Sequence, residues 1–226
     1  MPPAAPQSLV LAFSLLVALT AAGFLLLVRR AGASPVKSTF FMLSWLAAVA
    51  GLAASGRLLD FDRVPPPLFL PVVVGGVITV ALAFSSWGTR LVMELPLALL
   101  VGSQAFRLPL ELVMHHAYEV EVMPVQMSYE GLNLDILTGA TALILAFYPR
   151  RFLVWAWNFM GLALLINVVT IAILSTPIPI RVFTNEPANL WIATVPFCWL
   201  PTFLVPLALL GHLLVFRSLT SRPSAG

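Results

Sequence analysis

Long, continuously apolar stretches recur along the whole chain, and they constrain its fold more than any other feature. Seven of them approach the roughly 20 residues that a helix needs to cross a bilayer. Hydrocarbon offers no hydrogen-bond partners to a backbone, so only helices and closed barrels cross it. The stretches do not alternate between polar and apolar residues, which excludes a transmembrane barrel. The sequence therefore predicts an all-α, polytopic integral membrane bundle in the plasma (inner) membrane.

The composition agrees with a chain whose main partner is the lipid bilayer. Hydrophobic residues make up 60% of it and charged residues 9%, against about 45–50% and about 25% in soluble domains. With 226 residues there is little chain outside the helices, so residues 1–226 are predicted to form a single transmembrane domain. The net charge of +3 is spread thinly over loops, which argues against nucleic acid as a partner. The single cysteine, Cys198, excludes an internal disulfide.

The predicted spans follow directly from the apolar stretches. We predict seven transmembrane helices, at Ser8–Val28, Ser38–Ala54, Pro67–Trp87, Leu91–Met114, Leu132–Tyr148, Phe152–Leu174 and Leu190–Phe216.

Basic residues predict the orientation of these spans, because cytoplasmic loops are enriched in Lys and Arg. With the N-terminus outside, eight basic residues fall on the inner side, namely Arg29, Arg30, Lys37, Arg90, Arg150, Arg151, Arg217 and Arg222. The outer side receives three, Arg57, Arg63 and Arg181. The sequence thus predicts an N-outside, C-inside topology. Because the Arg29–Arg30 pair follows the first apolar run, we also expect that run to be a retained helix and not a cleaved signal.

Ionisable residues are concentrated in one part of the chain. Five of the nine acidic residues and two of the three histidines lie between Glu111 and Asp135. Charged groups inside a membrane are costly, so they usually pair with one another or line a polar cavity, and they are functional candidates by default. The stretch from Arg107 to Gly139, which contains these residues, is therefore the predicted functional region.

Helix rise predicts which of these residues meet. Counted from Leu91, Arg107 lies roughly 24 Å from the inner boundary, and Asp135, counted back from Tyr148, lies roughly 20 Å from it. Spans joined by a short connection pack as antiparallel neighbours. We therefore predict an Arg107–Asp135 ion pair. Asn167 reaches roughly 24 Å when counted from Arg151 and is expected to contribute an amide to the same group.

A run of residues on one helix face extends this group outwards. Glu111, His115 and Glu119 follow Arg107 at steps of four, so they share its face. The candidate residues for binding a ligand or a proton are Arg107, Glu111, His115, Glu130, Asn133, Asp135 and Asn167. No residue is assigned a catalytic role.

Several chemical interpretations fit this cluster. Glu111, His115 and Glu119 offer nitrogen and oxygen ligands to a metal ion, although they match no known metal signature. Alternatively, Arg107, Asp135 and Glu111 form a salt-bridge network that only fixes helix packing. A haem held between histidines is not expected, because His212 is placed near the inner end of its span and His115 near the outside. The only lysine, Lys37, is predicted to lie in a loop, which argues against a retinal Schiff base.

The leading functional hypothesis is an extracytoplasmic-facing polar pocket that binds or translocates a small polar solute or ion, with proton linkage through Glu111, His115 or Asp135. The first alternative is a metal-assisted, hydrolase-like membrane enzyme. The second is a non-catalytic subunit of a larger membrane complex. The sequence does not decide whether the chain is an enzyme, and it is compatible with a homo-oligomer or with partners in a membrane complex.

Overall fold

The computed structural model describes residues 2–221, which form helices and no strand. The α-helices are α1 Gln7–Arg30, α2 Pro35–Ala54, α3 Phe69–Phe84, α4 Ser86–Glu94, α5 Leu97–Gly102, α6 Arg107–Glu119, α7 Ile136–Phe147, α8 Arg151–Leu174 and α9 Val205–Ser221. Short 3-10 turns lie at Arg57–Leu59, Ser103–Phe106, Val125–Met127 and Trp191–Ala193, and a π-helical turn at Leu200–Leu204 leads into α9. The predicted all-α fold class is confirmed.

Five helical stretches within residues 2–221 are long and apolar enough to cross a membrane: α1, α2, α8, Leu97–Glu119 and Leu200–Ser221. The helices α3 and α4, bent by 60° at their junction, provide a sixth candidate if taken together. Helix α7 has only 12 residues, about 18 Å, and falls short of a hydrocarbon core of about 30 Å. Helices of membrane length thus account for five or six of the seven predicted spans.

The predicted fourth span, Leu91–Met114, is wrong as a continuous helix. Helix α4 ends at Glu94, and α5 begins at Leu97. Leu95 between them is extended, at φ −95° and ψ 134°, because the ring of Pro96 disfavours helical backbone in the preceding residue. The membrane-length stretch therefore starts at Leu97, six residues later than predicted.

The bend between α3 and α4 depends on a serine and a glycine. The Ser85 hydroxyl oxygen accepts a hydrogen bond from the Gly88 backbone N–H at 3.3 Å and thereby caps α4. A Cβ at Gly88 would collide with the carbonyl oxygens of Leu82 and Ala83. Only glycine therefore lets the two helices approach this closely.

Two other predicted spans do not begin with continuous α-helix. The predicted fifth span begins at Leu132, but α7 starts at Ile136. The predicted seventh span begins at Leu190, but its long helical stretch starts at Leu200 and continues to Ser221. Pro196 and Pro201 lack the N–H that a helix needs, which explains the late start and the π-helical turn around Pro201.

Helix α9 is the centre of the bundle. It packs against α3, α4, α5 and α8. Within the stretch Leu200–Ser221, 61% of an 18-residue apolar segment is buried inside the protein, against 22–39% of the equivalent segments in the other four membrane-length stretches. One apolar cluster joins α1, α2 and α6 to residues 190–204, and a second joins α4, α5 and α8 to α9.

Hydrogen bonds gather the predicted inner segments at one end of the bundle. Arg90 donates to the Gly32 carbonyl at 3.0 Å. Arg217 donates to the Thr89 hydroxyl at 2.8 Å and to the Ala83 carbonyl. Arg151 donates to the Leu219 carbonyl. The α1–α2 loop, α4, the start of α8 and the end of α9 therefore share one end, while Arg222 lies outside the described residues.

Candidate functional site

The centre of the bundle holds a buried ion pair between Arg107 and Asp135. Arg107 is the first residue of α6 and is 1% exposed. Its Nε donates to Asp135 Oδ2 at 2.6 Å, and its Nη2 donates to Asp135 Oδ1. This two-pronged geometry is the strongest that an arginine and a carboxylate can adopt. The predicted contact between the two residues is confirmed.

The backbone places Asp135 so that its negative charge is favoured. The residue stands immediately before the first turn of α7, where the helix dipole presents its positive end. The side chain of Asn133 fixes this position by accepting a hydrogen bond from the Asp135 backbone N–H at 3.1 Å. Asp135 therefore has stabilising partners on both its side chain and its backbone.

His212 on α9 binds the remaining arm of Arg107. Arg107 Nη1 lies 2.6 Å from His212 Nε2, and His212 Nδ1 lies 2.8 Å from Asn158 Oδ1. A guanidinium only donates hydrogen bonds, so Nε2 must accept one, and Nδ1 carries the proton that it donates to Asn158. This tautomer is neutral. Arg107 thus links α6, α7 and α9, and Asn158 extends the chain of bonds to α8.

Two glycines leave room for this group. A Cβ at Gly161 would stand 2.8 Å from both His212 Nε2 and Thr138 Cγ2. A Cβ at Gly139 would collide with the backbone of Leu108. Both distances are shorter than packed atoms tolerate. A side chain at Gly139 would push α7 away from the start of α6, and one at Gly161 would displace the His212 ring or move α8 away from α9.

Glu111 lies one turn beyond Arg107 on α6 and is 1% exposed. Its Oε2 accepts a hydrogen bond from Asn133 Nδ2 at 2.7 Å, and the same amide group donates to the Met127 carbonyl at 3.0 Å. No arginine, lysine or histidine within residues 2–221 forms an ion pair with Glu111. The charge of Arg107 is directed to Asp135 instead.

The charges of this buried group do not balance. Arg107 contributes one positive charge, Asp135 one negative charge, and His212 none in the tautomer that its bonds require. An ionised Glu111 would leave a net negative charge in a desolvated site, which is strongly unfavourable. A proton or a cation is needed to neutralise Glu111.

A cavity of about 370 Å³ adjoins these residues. It lies between α3, α6, α8 and the start of α9, and Arg107, Glu111 and Asp135 line part of its wall. Most of the remaining wall is apolar, whereas the sequence predicted a polar pocket. The difference arises because most polar groups of the site bond one another, leaving hydrocarbon to line the space beside them.

The outer residues of the acidic segment form a second group. His115 Nε2 lies 3.7 Å from Glu119 Oε1 and 3.6 Å from Glu130 Oε1. The His115 ring stacks on Tyr129, with 4.4 Å between centroids. The carboxylates of Glu119 and Glu130 are more than half exposed. This outer group is therefore separate in character from the buried one.

The predicted metal ligands are not brought together as a set. Glu111 is bonded to Asn133 in the interior, whereas His115 faces Glu119 and Glu130. Residues 2–221 contain no group of three His, Cys, Asp or Glu side chains that could hold a metal ion.

Asn167 does not bond to the buried Arg107–Asp135 group, so the prediction that it contributes an amide there is wrong. Its Nδ2 donates to the Leu132 carbonyl at 2.9 Å, at the approach to α7. Asn158 supplies the amide instead. The predicted depth of Arg107 is too large because the membrane-length stretch begins at Leu97. From there, Arg107 is about 15 Å deep, close to Asn158 at about 10 Å from Arg151.

The depth of His212 also differs from the prediction. The predicted seventh span ends at Phe216 and puts His212 near its inner end, but α9 continues to Ser221, which puts His212 about 14 Å from the end of the helix. An intramembrane histidine is itself a functional signal, and it could have been used to find this residue.

These observations define the class of the protein: an all-helical chain with several helices long and apolar enough to span a membrane. The chain belongs to the family described as Domain of unknown function (DUF8737), whose model matches residues 67–220. The match contains Arg107, Glu111, Asp135, Asn158 and His212. No curated protein matches the chain, and no solved structure matches it.

Proposed function

We propose that the chain is a multi-pass protein of the plasma (inner) membrane with seven crossings, an outside N-terminus and an inside C-terminus. The crossings are α1, α2, the bent pair α3–α4, α5–α6, α7, α8 and α9 with its preceding turn. The shared end of the segments carrying Arg90, Arg151 and Arg217 supports this orientation, because that end holds most of the basic residues.

The crossing through α7 needs the non-helical segment before it. Backbone that is not helical is tolerated at membrane depth when it is buried in protein. Here the Leu132 N–H donates to the Gln126 carbonyl and the Asn133 N–H to the Ser128 carbonyl, both at 3.2 Å. Asn133 and Ser128 are fully buried. This segment therefore completes a crossing for which 12 helical residues are too few.

The proposed activity is the binding or translocation of a small polar solute or ion, linked to a proton on Glu111. One observation carries this proposal: a buried carboxylate without a partnering cation lies at the wall of a cavity. A salt-bridge network that served only packing would match its charges. The surplus carboxylate is instead suited to exchange a proton for a cationic ligand.

The other residues of the site act as a frame in this proposal. Arg107, Asp135 and His212 hold α6, α7 and α9 together by hydrogen bonds. Asn133 donates to Glu111 Oε2, leaving Oε1 to carry the proton or to face the ligand. The charge at Glu111 thus changes while the surrounding hydrogen bonds persist.

Infrared spectroscopy tests the proposal without knowledge of the ligand. A protonated carboxyl group has a carbonyl stretch that is distinct from the carboxylate bands. We expect the wild-type protein in nanodiscs to show this band, Glu111→Gln to lack it, and Glu119→Gln to retain it. A wild-type spectrum that matches Glu111→Gln at every pH would contradict a proton on Glu111.

Activity provides the second test once a ligand is identified. In a Glu111→Gln variant expressed at the wild-type level, ligand binding or transport should be abolished, because an amide cannot exchange a proton for a cation. Glu119→Gln should reduce it only mildly, since Glu119 belongs to the exposed outer group. Full activity in a folded, inserted Glu111→Gln variant would favour the packing network instead.

A further inference from the structure

We propose that the ligand of Glu111 is a lipophilic organic amine in its ammonium form, whose apolar body occupies the cavity between α3 and α8. This inference rests on the proposed function; of the two ligand kinds named there, a polar solute or an ion, it selects the ion and specifies its chemical class.

The lining of the cavity favours an apolar ligand body. Apart from Arg107, Glu111, Asp135 and Thr176, every lining residue is apolar. A hydrated inorganic ion would lose its water against this wall and would need several oxygen ligands in exchange. The wall does not offer such a set, because both oxygens of Asp135 are bonded to Arg107.

The free polar capacity of the site matches one ammonium group. Glu111 Oε2 receives the hydrogen bond from Asn133, and no donor within the described part of the chain contacts Oε1. An ammonium N–H can donate to Oε1 and supplies the positive charge that the buried group lacks. A neutral hydroxyl could donate the hydrogen bond but would not balance the charge.

The size of the cavity sets a scale for the ligand. Its volume of about 370 Å³ is more than twice the roughly 150 Å³ of a cavity that holds one benzene molecule. An amine with two aromatic rings, or an aliphatic body of similar bulk, is therefore the best match. A small ammonium ion would leave most of the cavity unfilled.

The position of the cavity gives such a ligand a route from the bilayer. Helices α3 and α8 both pack on α9, and the cavity lies between them. Its lining includes Val73 of α3, which is 58% exposed on the side of the bundle. In the proposed membrane setting that side faces lipid, where lipophilic amines concentrate.

The exchange balances in atoms and charge. The ammonium ion enters, the Glu111 carboxyl releases its proton to solvent, and an ammonium–carboxylate pair remains. No covalent bond to carbon changes. Binding should therefore release one proton per ligand in weakly buffered solution, as measured with a pH-sensitive dye.

The test uses 3,3-diphenylpropylamine, its neutral analogue 3,3-diphenylpropanol and the small cation ethylammonium, with the full chain in nanodiscs and binding measured by calorimetry. We expect the amine to bind the wild-type protein about tenfold or more tightly than either comparison compound. Protein-free nanodiscs measure partitioning into lipid and are subtracted.

Variants place the ligand in the cavity. Val72→Phe narrows it and should weaken amine binding about tenfold or more. Val77→Phe is the matched control, because Val77 lies on the same helix, is 64% exposed and does not line the cavity. Glu111→Gln should remove both the preference for the amine over the alcohol and the proton release.

Equal affinities for amine and alcohol, equal affinities for amine and ethylammonium, or equal effects of Val72→Phe and Val77→Phe would each overturn this inference. If the Glu111 carboxyl band is present while any of these results holds, the ligand class is wrong and the proton site stands. If Glu111→Gln does not fold, the ligand affinities of the wild-type protein and the difference between Val72→Phe and Val77→Phe still test the ligand class.

Discussion

Arg107 Nη1 lies 2.6 Å from His212 Nε2, although the two residues are 105 positions apart in the chain. This hydrogen bond joins the start of α6 to the middle of α9, which belongs to the most buried of the five membrane-length stretches within residues 2–221. It also fixes the tautomer of His212, because the guanidinium cannot accept a proton. The same arginine forms the ion pair with Asp135, so one side chain sets the relative positions of three helices.

The ion pair itself is the first target for mutation. Asp135→Ala should lower the free energy of unfolding by about 3–5 kcal/mol, because Arg107 would remain buried without its counter-charge. Glu121→Gln should have little effect, since that carboxylate is exposed. Glutamine removes the charge but keeps the size of the side chain at a position where the backbone is left-handed, with φ at 58°. Chemical denaturation in detergent micelles measures both variants.

A double-mutant cycle tests whether the two residues act as partners. Arg107→Leu combined with Asp135→Ala removes both charges and should recover part of the stability lost in Asp135→Ala alone. Strict additivity of the two single changes would mean that the residues do not interact.

His212 is predicted to stabilise the protein through its nitrogen atoms and not only through its ring. The His212 ring lies 5.1 Å from the Trp157 ring, measured between centroids. His212→Phe keeps an aromatic ring at this position but leaves Arg107 Nη1 and Asn158 Oδ1 without their partner. Each orphaned buried group should cost about 1–3 kcal/mol. His116→Phe is the control, as the side chain of His116 is 39% exposed. Equal stabilities of the two variants by denaturation would show that the bonds to His212 contribute little.

Gly161 is predicted to tolerate no side chain. In Gly161→Ala the new Cβ would press on the His212 ring, and the ring would have to leave Arg107 or α8 would have to move away from α9. Either change should lower the free energy of unfolding by about 1–3 kcal/mol. Gly76→Ala adds the same methyl group to α3 where nothing lies within 4 Å, and it should be neutral or slightly stabilising because alanine favours helix. Thermal unfolding of the two variants side by side measures the difference.

The sequence predicts the Arg107–Asp135 ion pair because opposite charges inside a membrane are stabilised by pairing, and the predicted depths of the two residues are similar. It does not predict the partners on α8 and α9, since depth counting depends on where a helix begins. Pro96 moves that beginning to Leu97, and the shift changes which amide and which histidine match Arg107. The folded segment before α7 is also beyond sequence patterns, because it depends on bonds between loop residues, such as Asn133 with Glu111.

The proposed orientation predicts the location of reporter fusions. A fusion at Arg151 and one after Gly226 should report the cytoplasm, whereas a fusion at Glu121 should report the outside. The reason is the excess of basic residues in the segments that share the end with Arg151. An external signal after Gly226 would contradict seven crossings with an outside N-terminus.

The loop before the last helix is predicted to loosen in acid. The backbone N–H of Ala188 donates to Glu186 Oε2 at 2.8 Å, and Arg181 donates to Oε1 at 3.2 Å. These bonds, that from Ala188 first, lower the pKa of Glu186 below its ordinary value. The loop is also tied to the site segment, since Asn185 donates to the Gln126 side chain at 2.9 Å.

The sign of this effect follows from the lowered pKa. The Glu186 carboxylate stabilises the loop fully above the ordinary glutamate pKa of about 4.3. This stabilisation is lost as the pH falls through the lower pKa that Glu186 has in the folded state. Glu186→Gln should therefore be cleaved faster than wild type in this loop at neutral pH, as measured by limited proteolysis. The two proteins should become alike in strong acid, where an acid-active protease replaces the neutral one. The effect is expected to be small, because the Glu186 side chain is 73% exposed. A difference that persists unchanged in strong acid would show that the Glu186 carboxylate does not hold the loop.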